Sequence, residues 1–316
     1  MKNKSVLIVV IIVIITAASV FQANAEDISI GGTALYQWWR PAWNTGKIIF
    51  YSQQSPPIID YTFPSFPVFR QFRYGPSLSI KFLRNWEISP EFTYGKTSGN
   101  TNGASIAPDP LYRKVAISIV EHDMHASIGY YALDFLKVFA GLRVELVNTD
   151  ITYNHISSMP ELFHIGLKGE TLNFTPELGV HFIVPVTRII SLMLDLSGTF
   201  QSGSEKKYYN MNNIYHFDLS GFKLDFFRIP RAQYRAIGGN SFLSVKINIP
   251  ESDVSLIAGA YYRVLRYFQK NSERGLFIMN RSLDHTYGLS LTAAYLFSID
   301  THRHRKIWMP RPSMDE

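Results

Sequence analysis

The sequence predicts an all-β fold: a transmembrane up-and-down antiparallel β-barrel of ten strands. Three observations predict it. Apolar residues recur at every second position, which is the period of a strand and not of a helix. The alternating stretches run to about eleven residues, matching the roughly 9–11 needed to cross a bilayer at a tilt and exceeding the ~5–6 usual in soluble sheets. The connections between stretches alternate short and long.

The alternation is clearest at 172–184. Leu172, Phe174, Pro176, Leu178, Val180, Phe182 and Val184 share one face, with Asn173, Thr175, Glu177, Gly179 and His181 between them. It recurs at Leu136, Val138, Ala140, Leu142, Val144 and Leu146, with Lys137, Gly141, Arg143 and Glu145 between. It recurs again at Ile190, Leu192, Leu194, Leu196 and Phe200, and at Tyr287, Leu289, Leu291, Ala293, Tyr295 and Phe297. Aromatic rings sit at the ends of these apolar faces, as at Tyr74, Phe82, Trp86, Tyr94 and Tyr287. Such amphipathic rings favour a lipid–water interface.

Laid out along the chain, the pattern gives strands at 27–39, 71–83, 86–97, 113–131, 135–149, 169–184, 189–202, 241–250, 254–266 and 285–297. Around Glu121-His122-Asp123 the phase slips, which predicts a bulge. Tight connections fall at 83–86, 131–135, 184–189 and 250–254; long ones fall at 40–70, 98–112, 150–168, 203–240 and 267–284. Strict alternation puts five long outer loops at one end, and short turns with both termini at the other.

Composition agrees. The 316 residues carry a net charge of +6, 14% aromatics and only 18% charged residues, too aromatic and too apolar for a disordered chain. With no cysteine, a disulfide framework, a thiolate nucleophile and a Cys-rich metal site are excluded. Residues 1–25 read as a signal peptide: Lys2 and Lys4, an apolar run over 5–20, then Ala23-Asn24-Ala25, with cleavage expected before Glu26. No later stretch is a spanning helix; the nearest, 182–196, holds Pro185, Arg188 and Asp195. The expected order is therefore a leader (1–25), a barrel (26–297) with short periplasmic turns, and a short basic periplasmic tail (298–316).

The chain resembles bacterial outer-membrane β-barrel proteins. The run from Tyr287 to Phe297 is similar to the terminal-strand signal of that superfamily, which the barrel-assembly machinery reads. Members usually end at the aromatic, whereas this chain continues for nineteen residues. The resemblance implies a place in the cell envelope, in the outer membrane. It implies contact with membrane lipid and glycolipid, and surface-exposed loops.

The polar faces hold Lys81, Glu87, Glu91, Arg143, Glu145, Glu177, His181, Asp195, Lys246 and Arg263. A barrel of about eight strands is just filled by its own side chains, and charges in so narrow an interior must pair. Two readings stand: a charge network that braces and plugs the lumen, or a narrow, porin-like, water-filled pathway with weak cation preference. The loops offer two more. Trp43, Phe50, Tyr51, Tyr61 and Phe63 in loop 40–70, and Tyr208, Tyr209, Arg228 and Arg231 in loop 203–240, form a self-packed cap or a surface for an extracellular ligand, as an adhesin or receptor would carry. Bases near the outer rim (Arg40, Arg70, Arg73, Arg266, Lys270, Arg274) are placed to meet glycolipid phosphates. Nucleic acid is not a partner in this compartment.

Catalysis has little support. In size and strand number the chain resembles the omptin proteases, whose resemblance would imply an Asp pair and an Asp–His pair on opposing rims. Here His216-Phe217-Asp218 has the reverse order and the opposing loop has only Asp109. His122-Asp123 and Asp284-His285 are neighbours on strands, so their side chains point to opposite faces. An outer-rim hydrolase is the least favoured function, no catalytic residue is assigned, and no cofactor is implied. His302 and His304 in the tail are too few to define a metal site.

Overall fold

The computed structural model describes residues 25–40, 46–50, 59–62, 68–106, 109–155, 164–210, 232–269, 276–279 and 283–298. They form thirteen strands: β1 (Ala25–Arg40), β2 (Gly46–Phe50), β3 (Ile59–Thr62), β4 (Phe69–Phe82), β5 (Trp86–Ile106), β6 (Asp109–Leu133), β7 (Leu136–His155), β8 (His164–Pro185), β9 (Ile190–Asn210), β10 (Ala232–Asn248), β11 (Val254–Gln269), β12 (Leu276–Met279) and β13 (Leu283–Ser298). Ten of them, β1, β4 to β11 and β13, close into an antiparallel ring. β1 is the closing stave. It pairs with β13 from Asp27↔Ser298 to Arg40↔His285, and on its other side with β4. The short β12, β2 and β3 continue the sheet as a ribbon joined to β5 at Tyr61↔Ile106.

Closure matters because in hydrocarbon no water satisfies a free N–H or C=O. The wall is also inverted relative to a soluble protein. On β13, Leu289 and Leu291 are 56% and 52% exposed while Asp284 and Thr286 are 3% and 5% exposed. The same holds for Phe174 and Leu178 against Asn173 and Thr175 on β8, and for Leu196 and Phe200 against Thr199 and Gln201 on β9. A greasy exterior around a polar interior requires lipid outside.

Two aromatic girdles mark the edges of that exterior. Trp86 packs on Tyr130, and Tyr295 on Phe297, at the turn end. Trp38 stacks on Tyr287 at 5.6 Å and meets Tyr36 edge-on at the opposite end. Tight turns occupy 83–85, 134–135, 186–189 and 249–253, all at one end with the start of β1 and the end of β13. In the first of them Leu83 and Arg84 both take positive φ, 48° and 64°, within the three-residue loop between the paired Phe82 and Trp86.

All ten expected staves are present, but several are longer than their apolar pattern. β5 through β9 run 20–25 residues each, about twice a bilayer crossing. Much of the expected loops at 98–112, 150–168 and 203–240 is therefore strand, and β10 begins at Ala232, not near 241. Beyond the girdle neither face meets hydrocarbon, so the period-two signal fades while backbone pairing continues, as at Asn148, Thr149 and Asp150 opposite Glu170, Gly169 and Lys168. The expected bulge at Glu121-His122-Asp123 is absent. β6 keeps register with β5 and β7 through those residues, and shifts only at Ala104/Ile106, Tyr112/Lys114 and Tyr131/Leu133. The apparent slip arises because β6 changes from apolar to charged on a single inward face: Ile117 and Ile119, then Glu121 and Asp123. Apart from Ala25 in β1 and Ser298 in β13, the expected leader and basic tail lie outside the described residues.

Leu291→Arg places a charge in the middle of the β13 exterior. We expect it to lower the unfolding free energy by roughly 2–4 kcal/mol. Urea titration of the protein folded in lipid vesicles measures this; no change would place that face outside the bilayer.

Candidate functional site: the barrel interior

Inward positions on staves far apart around the ring meet through the lumen. Arg73 on β4 reaches past β5 to β6: its Nη1 donates to Glu121 Oε1 at 2.8 Å, and its Nη2 pairs with Asp123 Oδ2. The same guanidinium donates to Thr93 Oγ1 at 2.6 Å. Arg263 on β11 crosses the interior to Glu145 on β7, whose other oxygen accepts from Asn173 Nδ2 at 3.2 Å. Tyr234 OH on β10 donates to the Asn173 amide oxygen. Arg143 Nε stands 3.8 Å from Asp123 Oδ1. The carboxylates of Glu121, Asp123 and Glu145 gather within 4.8 Å of one another, a spacing that would suit a cation. Three guanidiniums already answer these three acids, so the cluster is neutralised by the protein's own charges.

Nearer the turns lie two further layers. His125 Nε2 pairs with Glu177 Oε1, and Asn240 Nδ2 donates to Glu177 Oε2 and Ser197 Oγ, both at 3.2 Å. Gly141 makes room for this group, since a Cβ there would lie 2.8 Å from Glu177 Oε1 and 3.0 Å from His125 Nε2. At the turn end Glu87 accepts from Tyr131 OH, from Lys137 Nζ at 2.9 Å and from Ser89 Oγ at 2.8 Å. Lys81, opposite Glu87 in the ladder, lies over the Tyr131 ring at 4.9 Å. His181 Nδ1 pairs with Asp195 Oδ1.

Loop-ward of the charges the same interior faces carry apolar side chains among polar ones, with Gln37, Gln71, Gln201 and Asp284 also buried there. Phe69 precedes Arg73 on β4, Ile117 and Ile119 precede Glu121 on β6, Ala236 precedes Asn240 on β10, and Leu265 follows Arg263 on β11; all five are buried. Phe69 and Ile117 both close on Gly99, whose Cβ would lie 3.1 and 3.7 Å from them. Trp39 packs on Phe69 at 5.9 Å and donates its indole N–H to the Asp284 carboxylate at 3.0 Å.

Of the ten interior residues expected from sequence, Glu87, Arg143, Glu145 and Arg263 make ion pairs within 4 Å, and Glu177, His181 and Asp195 make imidazole–carboxylate contacts. Lys81 joins through the Tyr131 ring. Glu91, opposite His125, and Lys246, opposite Ser191, occupy the same face without an ion pair among the described residues. The central residue was assigned to the wrong place. Arg73, expected at the rim facing glycolipid, is 4% exposed and lies at the heart of the largest cluster. Its odd-numbered phase on β4, shared with Lys81, was the available signal. Glu121, Asp123 and His125 share inward phase on β6 and were likewise missed, while Lys137, read on the polar face beside Arg143 and Glu145, was not among the ten.

For chemistry, the neighbouring pairs divide as strand geometry requires. Asp123 is inside while His122 packs on Tyr94 at 5.2 Å; Asp284 is inside while His285 Nδ1 is 2.8 Å from Tyr262 OH on the exterior. His125–Glu177 and His181–Asp195 provide an oriented imidazole, but no hydroxyl is hydrogen-bonded to either ring among the described residues. His216 and Asp218 lie outside those residues, as do the side chain of Asp109 and the tail histidines.

What the closed ring, the apolar exterior and the charged interior define is a transmembrane β-barrel of ten strands. No protein-family model and no curated protein sequence matches the chain. Among solved structures it is similar in fold to the outer membrane protease OmpT from Escherichia coli, at 10% identity and TM-score 0.43 over 86% of this chain and 97% of that one. It is also similar to the translocator domain of the autotransporter NalP from Neisseria meningitidis, at 10% identity and TM-score 0.44 over 86% and 88%. The β domain of the Bordetella autotransporter BrkA gives 8% identity and TM-score 0.37 over 84% and 98%.

Arg73→Ala removes the partner of two buried carboxylates. We expect it to cost roughly 3–5 kcal/mol of unfolding free energy, against less than about 0.5 kcal/mol for Arg70→Ala on the exposed face. Urea unfolding in vesicles compares them; equal effects would mean that the Arg73 cluster does not hold the staves together.

Proposed function

We propose that this chain is an integral outer-membrane protein whose barrel is a closed scaffold. In this reading the lumen is plugged by its own side chains, and the wall holds a surface structure above the membrane. One observation carries it: the guanidinium–carboxylate cluster of Arg73, Arg143 and Arg263 spans the interior beneath buried Phe69, Ile117, Ile119 and Leu265. A conducting path needs wetted, exchangeable charges, and here the charges are taken up by one another. The length of β5 to β9 supports the surface role, because the pairing continues well beyond the girdle on the loop side. Export by the leader and assembly through the Tyr287–Phe297 signal belong to the same reading.

Planar-bilayer recording tests it. The wild-type protein is expected to insert without ohmic steps, and Arg73→Ala combined with Arg263→Ala is expected to introduce them. Discrete steps from the wild type, with ion selectivity that changes in Glu145→Gln, would establish a pore and overturn the scaffold.

A further inference from the structure

Among the described residues the exterior wall has a notch between β1 and β4. On β1 the lipid-side position between Ile30 and Ala34 is Gly32, and its ladder partner on β4 is Pro76. Gly32 has no side chain and Pro76 only its compact ring. The ladder between β4 and β5 is also interrupted here. It runs through Tyr74↔Tyr94, has a single pair at Ser77↔Glu91 and resumes at Ile80↔Ile88, leaving Gly75, Pro76, Leu78 and Ser79 unpaired with β5. Pro76 has no N–H to give. The result is an open concavity of about 610 Å³ on the outer surface, lined almost wholly by apolar atoms, with Gly32, Pro76 and the rings of Tyr74, Phe92 and Tyr94 among its lining.

The two glycines here differ in kind. Gly75 is required by the backbone, because a Cβ there would lie 1.9 Å from the Phe92 carbonyl oxygen. Gly32 is not required by it. A Cβ there would find its nearest neighbour, the Gly75 carbonyl oxygen, at 3.9 Å, and the residue has no left-handed φ. The space beside Gly32 is thus left open although the chain has room to fill it. It is continuous with the lipid-facing belt formed by Ile30, Leu289 and Leu291, so what meets it is hydrocarbon. A wall recess of this kind gains contact energy only when a chain packs into it.

We propose that the notch is a binding site for one acyl chain of a bilayer phospholipid, held against the rings of Tyr74, Phe92 and Tyr94. The inference rests on the transmembrane reading and not on the state of the lumen. It is tested with the full chain folded in vesicles of phosphatidylethanolamine and phosphatidylglycerol containing a phosphatidylethanolamine with a diazirine in its acyl chain. After irradiation, cross-links are expected to concentrate on Tyr74, Phe92 and Tyr94. Gly32→Leu fills the notch and is expected to reduce them roughly fivefold, the factor for expelling one or two methylenes from an apolar site. Gly198→Leu makes the same change on β9, where no atom lies within 4 Å of an added Cβ, and is expected to leave them unchanged. Gly32→Ala gives an intermediate loss and serves if the leucine variant does not fold. Cross-links spread evenly around the barrel, or insensitive to position 32, overturn the proposal. So do protein–protein cross-links through the same rings, which would make the occupant a second copy. Failure of the wild type to insert at all would instead refute the membrane reading.

Discussion

The rest of the structure depends on the pairing of the first stave with the last. β1 and β13 match residue for residue from Asp27↔Ser298 to Arg40↔His285, so the sheet has no edge within the membrane. Once the backbone is satisfied by closure, side chains need not supply hydrocarbon solubility on both faces. The wall can then be apolar outside and charged inside. Leu289 and Asp284 on one strand illustrate both requirements.

That division moves the cost of the fold to the lumen. Arg73, Glu121, Asp123 and Glu145 are buried and Arg143 and Arg263 partly so, and the buried charges are tolerable because the others are there. The contacts are also directional. Arg263 ties β11 to β7, and Arg73 ties β4 to β6, across gaps that no backbone hydrogen bond bridges. The ion pairs therefore act as cross-braces that set the shape of the cylinder as well as filling it. Their apolar neighbours Phe69, Ile117, Ile119 and Leu265 lie on the loop-ward side of the cluster, beside the buried Gln71 and Gln201.

The exterior is not uniform either. Its girdles at Trp38–Tyr287 and Trp86–Tyr130 fix the height of the barrel in the bilayer, while the break at Gly75-Pro76 opens the wall locally. A proline within a closed sheet removes a ladder hydrogen bond. Here the loss coincides with small residues on the neighbouring stave, so the defect becomes a recess in the lipid-facing surface and not a packed seam.

By itself the sequence determined the period, the number of staves, the end at which the turns lie and most of the inward charges. Each of these is a local property: side chains alternate across a strand whatever that strand pairs with. Only the tertiary structure decided which charges meet. Arg263 and Glu145 are 118 positions apart, and nothing near either one in the chain names the other. It also decided that β6 keeps its register, and that the wall continues past the girdle into polar segments such as 148–150. The physical reason is common to all three. Periodicity reports the contrast between lipid and lumen, and where that contrast vanishes, backbone pairing and cross-lumen contact proceed without leaving a mark in the order of residues.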